Sequence, residues 1–209
     1  MPLYKTLTPK SQTTVKIWKI TESYQELFNS VILKSNSLER VLGMKSELHQ
    51  RGFLSVRKLL EGFGYTDNDL YYDTHGKPHL TDGKHISITH SFTFSAVAVS
   101  DVTIGIDIEK HRDKIRRIAK KFIDYEFNYL KADSENYTNK LTVIWCIKES
   151  LYKLYATPGL SFKQHTLVIP FEIKDETTVC WIDYNNYKER FNAHYLELEG
   201  FTFAIALPA

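Results

Sequence analysis

Two carboxylates two residues apart in an alternating segment are answered further along the chain by a glutamate and a lysine four residues apart. The first pair lies in Thr103-Ile104-Gly105-Ile106-Asp107-Ile108-Glu109. As a strand of period two, this segment puts Ile104, Ile106 and Ile108 on one face and Thr103, Gly105, Asp107 and Glu109 on the other. The two carboxylates then stand roughly 7 Å apart along the backbone, and their side chains can converge on one ion. Like charges this close repel unless a cation or water screens them. Oxygen-only ligands suit a hard ion such as Mg²⁺ rather than zinc. Gly105, on the same face, leaves room for a bulky ligand to approach the backbone. Taken alone, the pair equally describes the polar face of a surface strand.

The second pair lies in the helical stretch Leu141–Lys153, where Trp145, Glu149, Tyr152 and Lys153 fall at i, i+4, i+7 and i+8 along one stripe. A Glu followed by Lys at i+4 is often only a helix-stabilising pair, worth about 0.2–0.5 kcal/mol. Here it shares its stripe with two aromatic residues, and a charged pair on a half-buried stripe is a site candidate. Earlier in the chain, Gly76-Lys77-Pro78 reads as a stiff turn presenting Lys77. Thr89-His90-Ser91 ends an alternating strand and offers two hydroxyls and an imidazole suited to phosphate oxygens. A lone histidine is more often structural, and no G-x-S-x-G elbow supports a nucleophilic serine.

The elements that must position these groups follow a pattern that runs twice. A strand at Val15–Ile20 precedes helical stretches at Ser23–Lys34 and about Glu39–Glu61, then strands at Leu70–Asp73, His85–His90 and Phe94–Ser100. The second pass begins at Thr103–Glu109, continues with helices at Lys114–Lys131 and Thr138–Ala156, and closes with strands at Thr166–Ile173, Thr178–Asp183, Phe191–Leu198 and Phe201–Leu207. The expected fold is α+β: two similar halves, 1–102 and 103–209, related by a pseudo-twofold with the active site between them. Composition agrees with a globular protein: 209 residues, 43% apolar, 13% aromatic and 25% charged. A net charge of +2 is too small to imply a nucleic-acid or membrane partner. The run Lys110–Arg117 is locally basic, either a solvated helix face or a dock for an acidic partner or phosphates. Cys146 and Cys180 form no CxxC pair, so neither zinc nor a disulfide framework is expected. The N-terminal MPLYKTLTPKSQTT has no apolar core of the secretory kind and no run is long enough to span a bilayer, so a cytoplasmic protein is expected.

Gly76-Lys77-Pro78, Ile88-Thr89-His90-Ser91, Gly105-Ile106-Asp107-Ile108-Glu109 and Trp145-Cys146-Ile147-Lys148-Glu149-Ser150-Leu151-Tyr152-Lys153 occur here in that order. Together they resemble the 4′-phosphopantetheinyl transferase superfamily, whose signatures are G-x-D-x-E and W-x-x-K-E-(A/S)-x-x-K. Phe122-Ile123-Asp124-Tyr125-Glu126 is similar to the F-x-x-x-E often found between them. The length resembles the two-half, surfactin-synthetase-activating type of member rather than the short trimeric holo-acyl-carrier-protein synthases. The resemblance implies transfer of 4′-phosphopantetheine from coenzyme A to a serine of an apo acyl or peptidyl carrier protein, with release of 3′,5′-ADP. It implies that Asp107, Glu109 and Glu149 surround Mg²⁺, that Glu149 also activates the carrier serine, and that Lys153 neutralises the pyrophosphate. Lys77 and His90, with the Thr89 hydroxyl where a serine is usual, would hold the nucleotide phosphates. Arg57 resembles the family's coenzyme A arginine, with Arg51, Lys45 and Lys58 as near competitors.

Two halves in one chain suffice as a monomer. A different Mg²⁺-dependent nucleotide hydrolase or transferase would keep the metal site without needing a carrier. A catalytically inactive carrier- or nucleic-acid-binding module would use the basic run alone, with no physical reason to retain three clustered carboxylates.

Overall fold

In the computed structural model, which describes residues 3–209, the chain divides into two compact α+β units, one ending at Val102 and the other spanning Thr103–Ala209. The first unit carries strands β1 (Leu3–Lys10), β2 (Thr13–Lys19), β3 (Leu70–Tyr72), β4 (Pro78–Leu80), β5 (His85–Ser91) and β6 (Phe94–Ser100). Its helices are α1 (Tyr24–Asn29), α2 (Ser35–Leu42) and α3 (Glu47–Gly62). An antiparallel sheet in the order β1-β2-β6-β5 backs α3, and β3 and β4 form a separate hairpin. Leu59, Leu60 and Val56 of α3 close a core with Ile86, Val97 and Val99 of the sheet.

The second unit contains β7 (Gly105–Lys110), α4 (Lys114–Ile118), α5 (Tyr137–Tyr155), β8 (Thr166–Val168), β9 (Thr177–Tyr184), β10 (Tyr187–Leu198) and β11 (Phe201–Pro208). Its antiparallel sheet runs β7-β11-β10-β9-β8, with α5 packed on β7 and β11. In both units a strand that leads into the helical segments (β2, β7) pairs with the unit's last strand (β6, β11); the first unit adds β1 on the outer edge of β2 and sets β3 and β4 apart as a hairpin.

Several elements differ from the sequence expectation. The helix expected over residues 23–34 is only the short α1, opened by a capping box in which Ser23 and Glu26 satisfy each other's backbone donors. The second expected helix is interrupted at 43–46, splitting α2 from α3. Hairpin strand β1 was hidden because its residues are largely exposed, leaving no apolar alternation to read. Strand β8 stops at Val168 because Pro170 has no N–H to continue a ladder.

The helix expected over residues 114–131 is α4 followed by two short 3₁₀ turns, at Ala119–Lys121 and Tyr125–Asn128. The chain wraps instead around a carboxylate: Glu126 accepts hydrogen bonds from the N–H of Asp124 (3.2 Å) and of Val168 (2.9 Å). Its charge is matched by Lys148, 2.7 Å away, and both side chains are 0% exposed. The Lys148 ammonium also donates to the carbonyls of Phe122 (2.9 Å), Phe162 (3.0 Å) and Thr166 (3.0 Å). Burial draws the Lys148 pKa down, with Glu126 opposing that shift. Removing one member of such a pair typically costs about 3–5 kcal/mol, because the other is left charged and dry.

On its opposite side α5 lies against β7 at a single glycine. A Cβ on Gly105 would stand 2.7 Å from the Ser150 carbonyl carbon and 3.1 Å from the Leu154 nitrogen, and nearer still to the Ser150 oxygen. Gly105 was expected to admit a ligand; the group that approaches its backbone is the helix itself. The Asp107 face of β7 is therefore covered rather than open, and Asp107 is only 5% exposed. Gly105→Ala should push α5 off the strand and cost at least about 3 kcal/mol, or prevent folding, as read by thermal and urea melts.

Candidate active site

Strand β7 and helix α5 supply every charged group of the site in the second unit. β7 presents Asp107 and Glu109 on the face that meets α5, while the two central isoleucines, Ile106 and Ile108, are buried. The α5 stripe delivers Trp145, Glu149 and Lys153, all half-buried; Tyr152 is 40% exposed. Lys153 meets Asp107 at 2.8 Å and also donates to the Ile106 carbonyl at 3.0 Å. The Lys153 ammonium is thus fixed against the strand rather than paired with Glu149 along its own helix.

The three carboxylates sense one another strongly. Burial, then Asp107 and Glu109, push Glu149 up to about 7, with Lys153 partly opposing the shift. Burial and Asp107 raise Glu109 as well, opposed by Arg112, by a hydrogen bond from Trp145 and by Lys153. Lys153, with Arg112 acting on Glu109, still leaves both Glu109 and Glu149 raised, which is the electrostatic signature of a site that gains from a cation. The donor set, three carboxylates and no sulfur or imidazole, fits a hard divalent ion. As they stand, no three Asp, Glu, His or Cys side chains among the described residues are gathered closely enough to enclose one.

Trp145, one of the two aromatic residues on the stripe, both packs and donates. It packs edge-on against Phe122 (5.0 Å) and Phe162 (5.5 Å) while its indole N–H reaches Glu109. Cys146 lies beneath the site with its thiol bonded toward the Thr202 carbonyl at 3.5 Å; burial raises its pKa far above the usual range, which removes it as a nucleophile. A small cleft beside Glu109 is lined by Arg112, Lys114, Ile118, Thr142 and Trp145. The basic run begins at this cleft and is anchored by His111, whose Nε2 lies 2.8 Å from both Glu197 and Thr202.

The first-unit residues fall into different settings. Arg57 is 5% exposed, binds Asp67 at 3.0 Å, and lies 3.5 Å over the Phe53 ring. Its guanidinium is an internal tie between α3 and the chain before β3. Of the competitors, Lys58 pairs with Glu61 at 2.6 Å, and Lys45 is exposed. Arg51 is half-buried, reaching the Ile20 carbonyl at 3.4 Å, and its Nε is buried with no hydrogen-bond partner among the described residues.

His90 is exposed at the end of β5 and overlies α3, its ring 3.0 Å from where a Gly52 Cβ would stand. Thr89 is 5% exposed and, one residue earlier in the same strand, points to the opposite face. The structure therefore brings His90 to α3 at Gly52, and does not bring Thr89 to the same face. Lys77 is half-buried in the turn joining β3 to β4. Among the described residues no helix is long and apolar enough to cross a membrane.

Residues 103–206, the whole β7-to-β11 meander, match the family model described as the 4′-phosphopantetheinyl transferase superfamily. The chain is 35% identical over 129 residues to "4′-phosphopantetheinyl transferase Sfp" of Bacillus subtilis (strain 168), covering 55% of this chain and 57% of that protein. It is 29% identical over 107 residues to "4′-phosphopantetheinyl transferase gsp" of Aneurinibacillus migulanus, covering 49% of this chain and 45% of that protein. A further "4′-phosphopantetheinyl transferase" of Bacillus subtilis is 36% identical over 91 residues, covering 42% and 40%. The aligned region spans about half the length of each of these relatives. With the glycine-backed carboxylate strand and the Trp-Lys-Glu-Lys helix in place, residues 103–206 belong to the 4′-phosphopantetheinyl transferase superfamily.

Proposed function

We propose that this protein transfers the 4′-phosphopantetheine arm of coenzyme A to a serine of an apo acyl or peptidyl carrier protein, in a Mg²⁺-dependent reaction that releases 3′,5′-ADP. The observation that carries the reading is that Asp107 and Glu109 of β7 lie near enough to Glu149 of α5 to raise its carboxyl, with Lys153 on Asp107, within the stretch that matches the superfamily. Asp107, Glu109 and Glu149 would hold the ion. When bound, it supplies charge neutralisation and polarisation of the pyrophosphate oxygens.

The chain's own groups account for the remaining requirements. The carrier serine attacks the phosphorus that bears pantetheine, and the bond from that phosphorus to the 3′,5′-ADP oxygen breaks. Glu149, held close to neutral pH by its surroundings, is suited to take the serine proton. Lys153, fixed by Asp107 and the Ile106 carbonyl, places positive charge where the leaving oxygen develops its own negative charge. Cys146 is dry and protonated and takes no part, so no covalent enzyme intermediate is invoked.

The first unit is assigned to the coenzyme's nucleotide phosphates, through His90, Lys77 and Arg57, with Arg51 and its unmet Nε donor as the competitor nearer the surface. Thr89 keeps a hydroxyl in the family's position and remains part of the reading, from the other face of β5. The pairing of each unit's last strand with the strand that precedes its helices supports the reading of two similar halves. The basic, apolar-floored cleft beside Glu109 supports docking of an acidic carrier there. The free, buried Cys146 and Cys180 accord with a reducing, cytoplasmic setting, and two units in one chain accord with a monomer.

The direct test is intact-mass spectrometry of an apo carrier protein incubated with the protein, coenzyme A and Mg²⁺. A gain of one phosphopantetheine, abolished by EDTA and reduced at least about 10³-fold by Glu149→Gln, is expected. Coenzyme A binding with no mass gain on several carriers would move the assignment to an inactive binding module.

The raised carboxyls give a pH test. Glu149 sits near 7 in the fold against an ordinary 4.5, so its proton is held more tightly folded than unfolded. That contribution is complete below 4.5 and is lost as pH rises through 7. Urea melts in EDTA should show on the order of 1–2 kcal/mol lost between pH 5 and 7.5 from this group. Glu149→Gln should flatten the slope, and millimolar Mg²⁺ should restore stability at pH 7.5.

For the dock, Arg116 is committed to the Ala132 carbonyl (2.9 Å) and the Tyr137 ring, so Lys114 and Arg117 are the charges to reverse. Lys114→Glu with Arg117→Glu should raise the carrier KM about tenfold and leave the coenzyme A KM unchanged.

A further inference from the structure

The turn that carries Lys77 is built around one carboxylate that neither the motifs nor the mechanism uses. Asp73 follows β3, and its Oδ1 accepts hydrogen bonds from the backbone N–H of His75 (2.8 Å) and of Lys77 (3.0 Å). Its Oδ2 meets His79 Nε2 at 3.0 Å. The backbone closes the same loop: Asp73 N–H donates to the Lys77 carbonyl, and Gly76 N–H to the Asp73 carbonyl, both at 3.0 Å. Gly76 adopts φ +82°, a conformation that glycine takes without strain, and Pro78 fixes the exit into β4. His79, opposite Tyr71 in the hairpin, stacks on that ring at 5.3 Å. Its hydrogen bond, and then the turn N–H groups, hold the Asp73 carboxyl down to about 2.

A three-stranded sheet or a helix would fix this segment by packing. The β3–β4 hairpin has only three residue pairs, and Tyr71, Tyr72, Asp73 and Gly76 are exposed. Side-chain hydrogen bonds to the backbone are what keep so small a turn in one conformation.

We propose that Asp73 is the positioning residue for Lys77: by pinning the turn at the Lys77 N–H, it sets the point from which that ammonium reaches the nucleotide phosphates of coenzyme A. A lysine on a loose turn must be ordered when the ligand binds, and affinity falls by the entropy of that ordering. The inference rests on the assignment of Lys77 to coenzyme A made above, and the controls separate the two. Asp73 touches neither substrate nor ion in this scheme and acts only through Lys77.

The experiment compares wild type, Asp73→Ala, Asp73→Asn, Lys77→Ala and the double variant Asp73→Ala/Lys77→Ala. Coenzyme A Kd is read by calorimetry, with kcat and both KM values from the transfer assay. Lys77→Ala should weaken coenzyme A about tenfold, and Asp73→Ala several-fold, with kcat and carrier KM within about twofold of wild type. The double variant should bind no worse than Lys77→Ala alone, because Asp73 has nothing left to position. Asp73→Asn keeps an oxygen for the two N–H groups and should recover most of the affinity.

A purely structural role would instead lower the melting temperature and activity without a selective change in coenzyme A affinity, and would overturn the proposal. If Lys77→Ala weakens binding and Asp73→Ala does not, Lys77 keeps its role and the positioning by Asp73 is refuted. If Lys77→Ala changes nothing, the assignment of Lys77 and the proposal fall together, while measured transfer would leave the enzymatic reading standing. If wild type transfers nothing, the calorimetric comparison alone decides the role of Asp73.

Discussion

The close contact between Gly105 and the backbone of α5 is the constraint on which the second unit's chemistry depends. Helix α5 can lie on β7 only where the strand has no side chain, and that contact sets the height at which every other residue of the helix meets the strand. Two residues further along the strand, Asp107 then reaches Lys153, and Glu109 reaches Trp145. A methyl group at Gly105 would separate both pairs at once. The far side of α5 is held just as firmly by the Lys148–Glu126 pair, whose partners include three carbonyls and two N–H groups from the surrounding loops. The adjacent residues Lys148 and Glu149 thus face different surroundings. One is dry and fully bonded, and the other is half-buried with its carboxyl raised.

That division explains why the site is electrostatically unfinished while the core is not. The Lys148 ammonium and the Glu126 carboxylate both have their hydrogen-bonding partners. Among Asp107, Glu109 and Glu149 the Lys153 ammonium meets Asp107 while Arg112 acts on Glu109, and the excess charge appears as raised pKa values of Glu109 and Glu149 rather than as structure. Free energy stored in this way is recovered when a cation or an ordered positive group arrives. It is the kind of pre-organisation that phosphoryl chemistry needs.

The first unit uses its cations differently. Arg57 is the most thoroughly engaged of them, stacked on Phe53 and bonded to Asp67, and Asp67 Oδ2 also receives the Lys34 N–H at 3.1 Å. A guanidinium so placed joins α3, the start of α2 and the segment before β3, and its charge is spent inside the unit. Arg51, Lys77 and His90 lie nearer the surface, on α3, on a hairpin turn and on a sheet edge, where rigid elements support them and solvent still reaches them.

The sequence by itself determined the α+β class, the long helix α5, most strands of both units, the order of the motifs and the family. These rest on periodicity and residue type, which are local properties. It also placed Asp107 and Glu109 on one strand face and Glu149 and Lys153 on one helix stripe. Only the tertiary structure decided what those faces meet. It turned the Asp107 face inward onto α5, gave Lys153 to Asp107 instead of Glu149, and gave Trp145 to Glu109. It also made Arg57 internal and separated Thr89 from His90. The helix expected over 114–131 failed for the same reason: Glu126 finds its partners, Lys148 and the Val168 N–H, far along the chain. Pairings between residues distant in sequence leave no periodic trace, because they are fixed by how elements pack and by which charges must be neutralised once water is excluded.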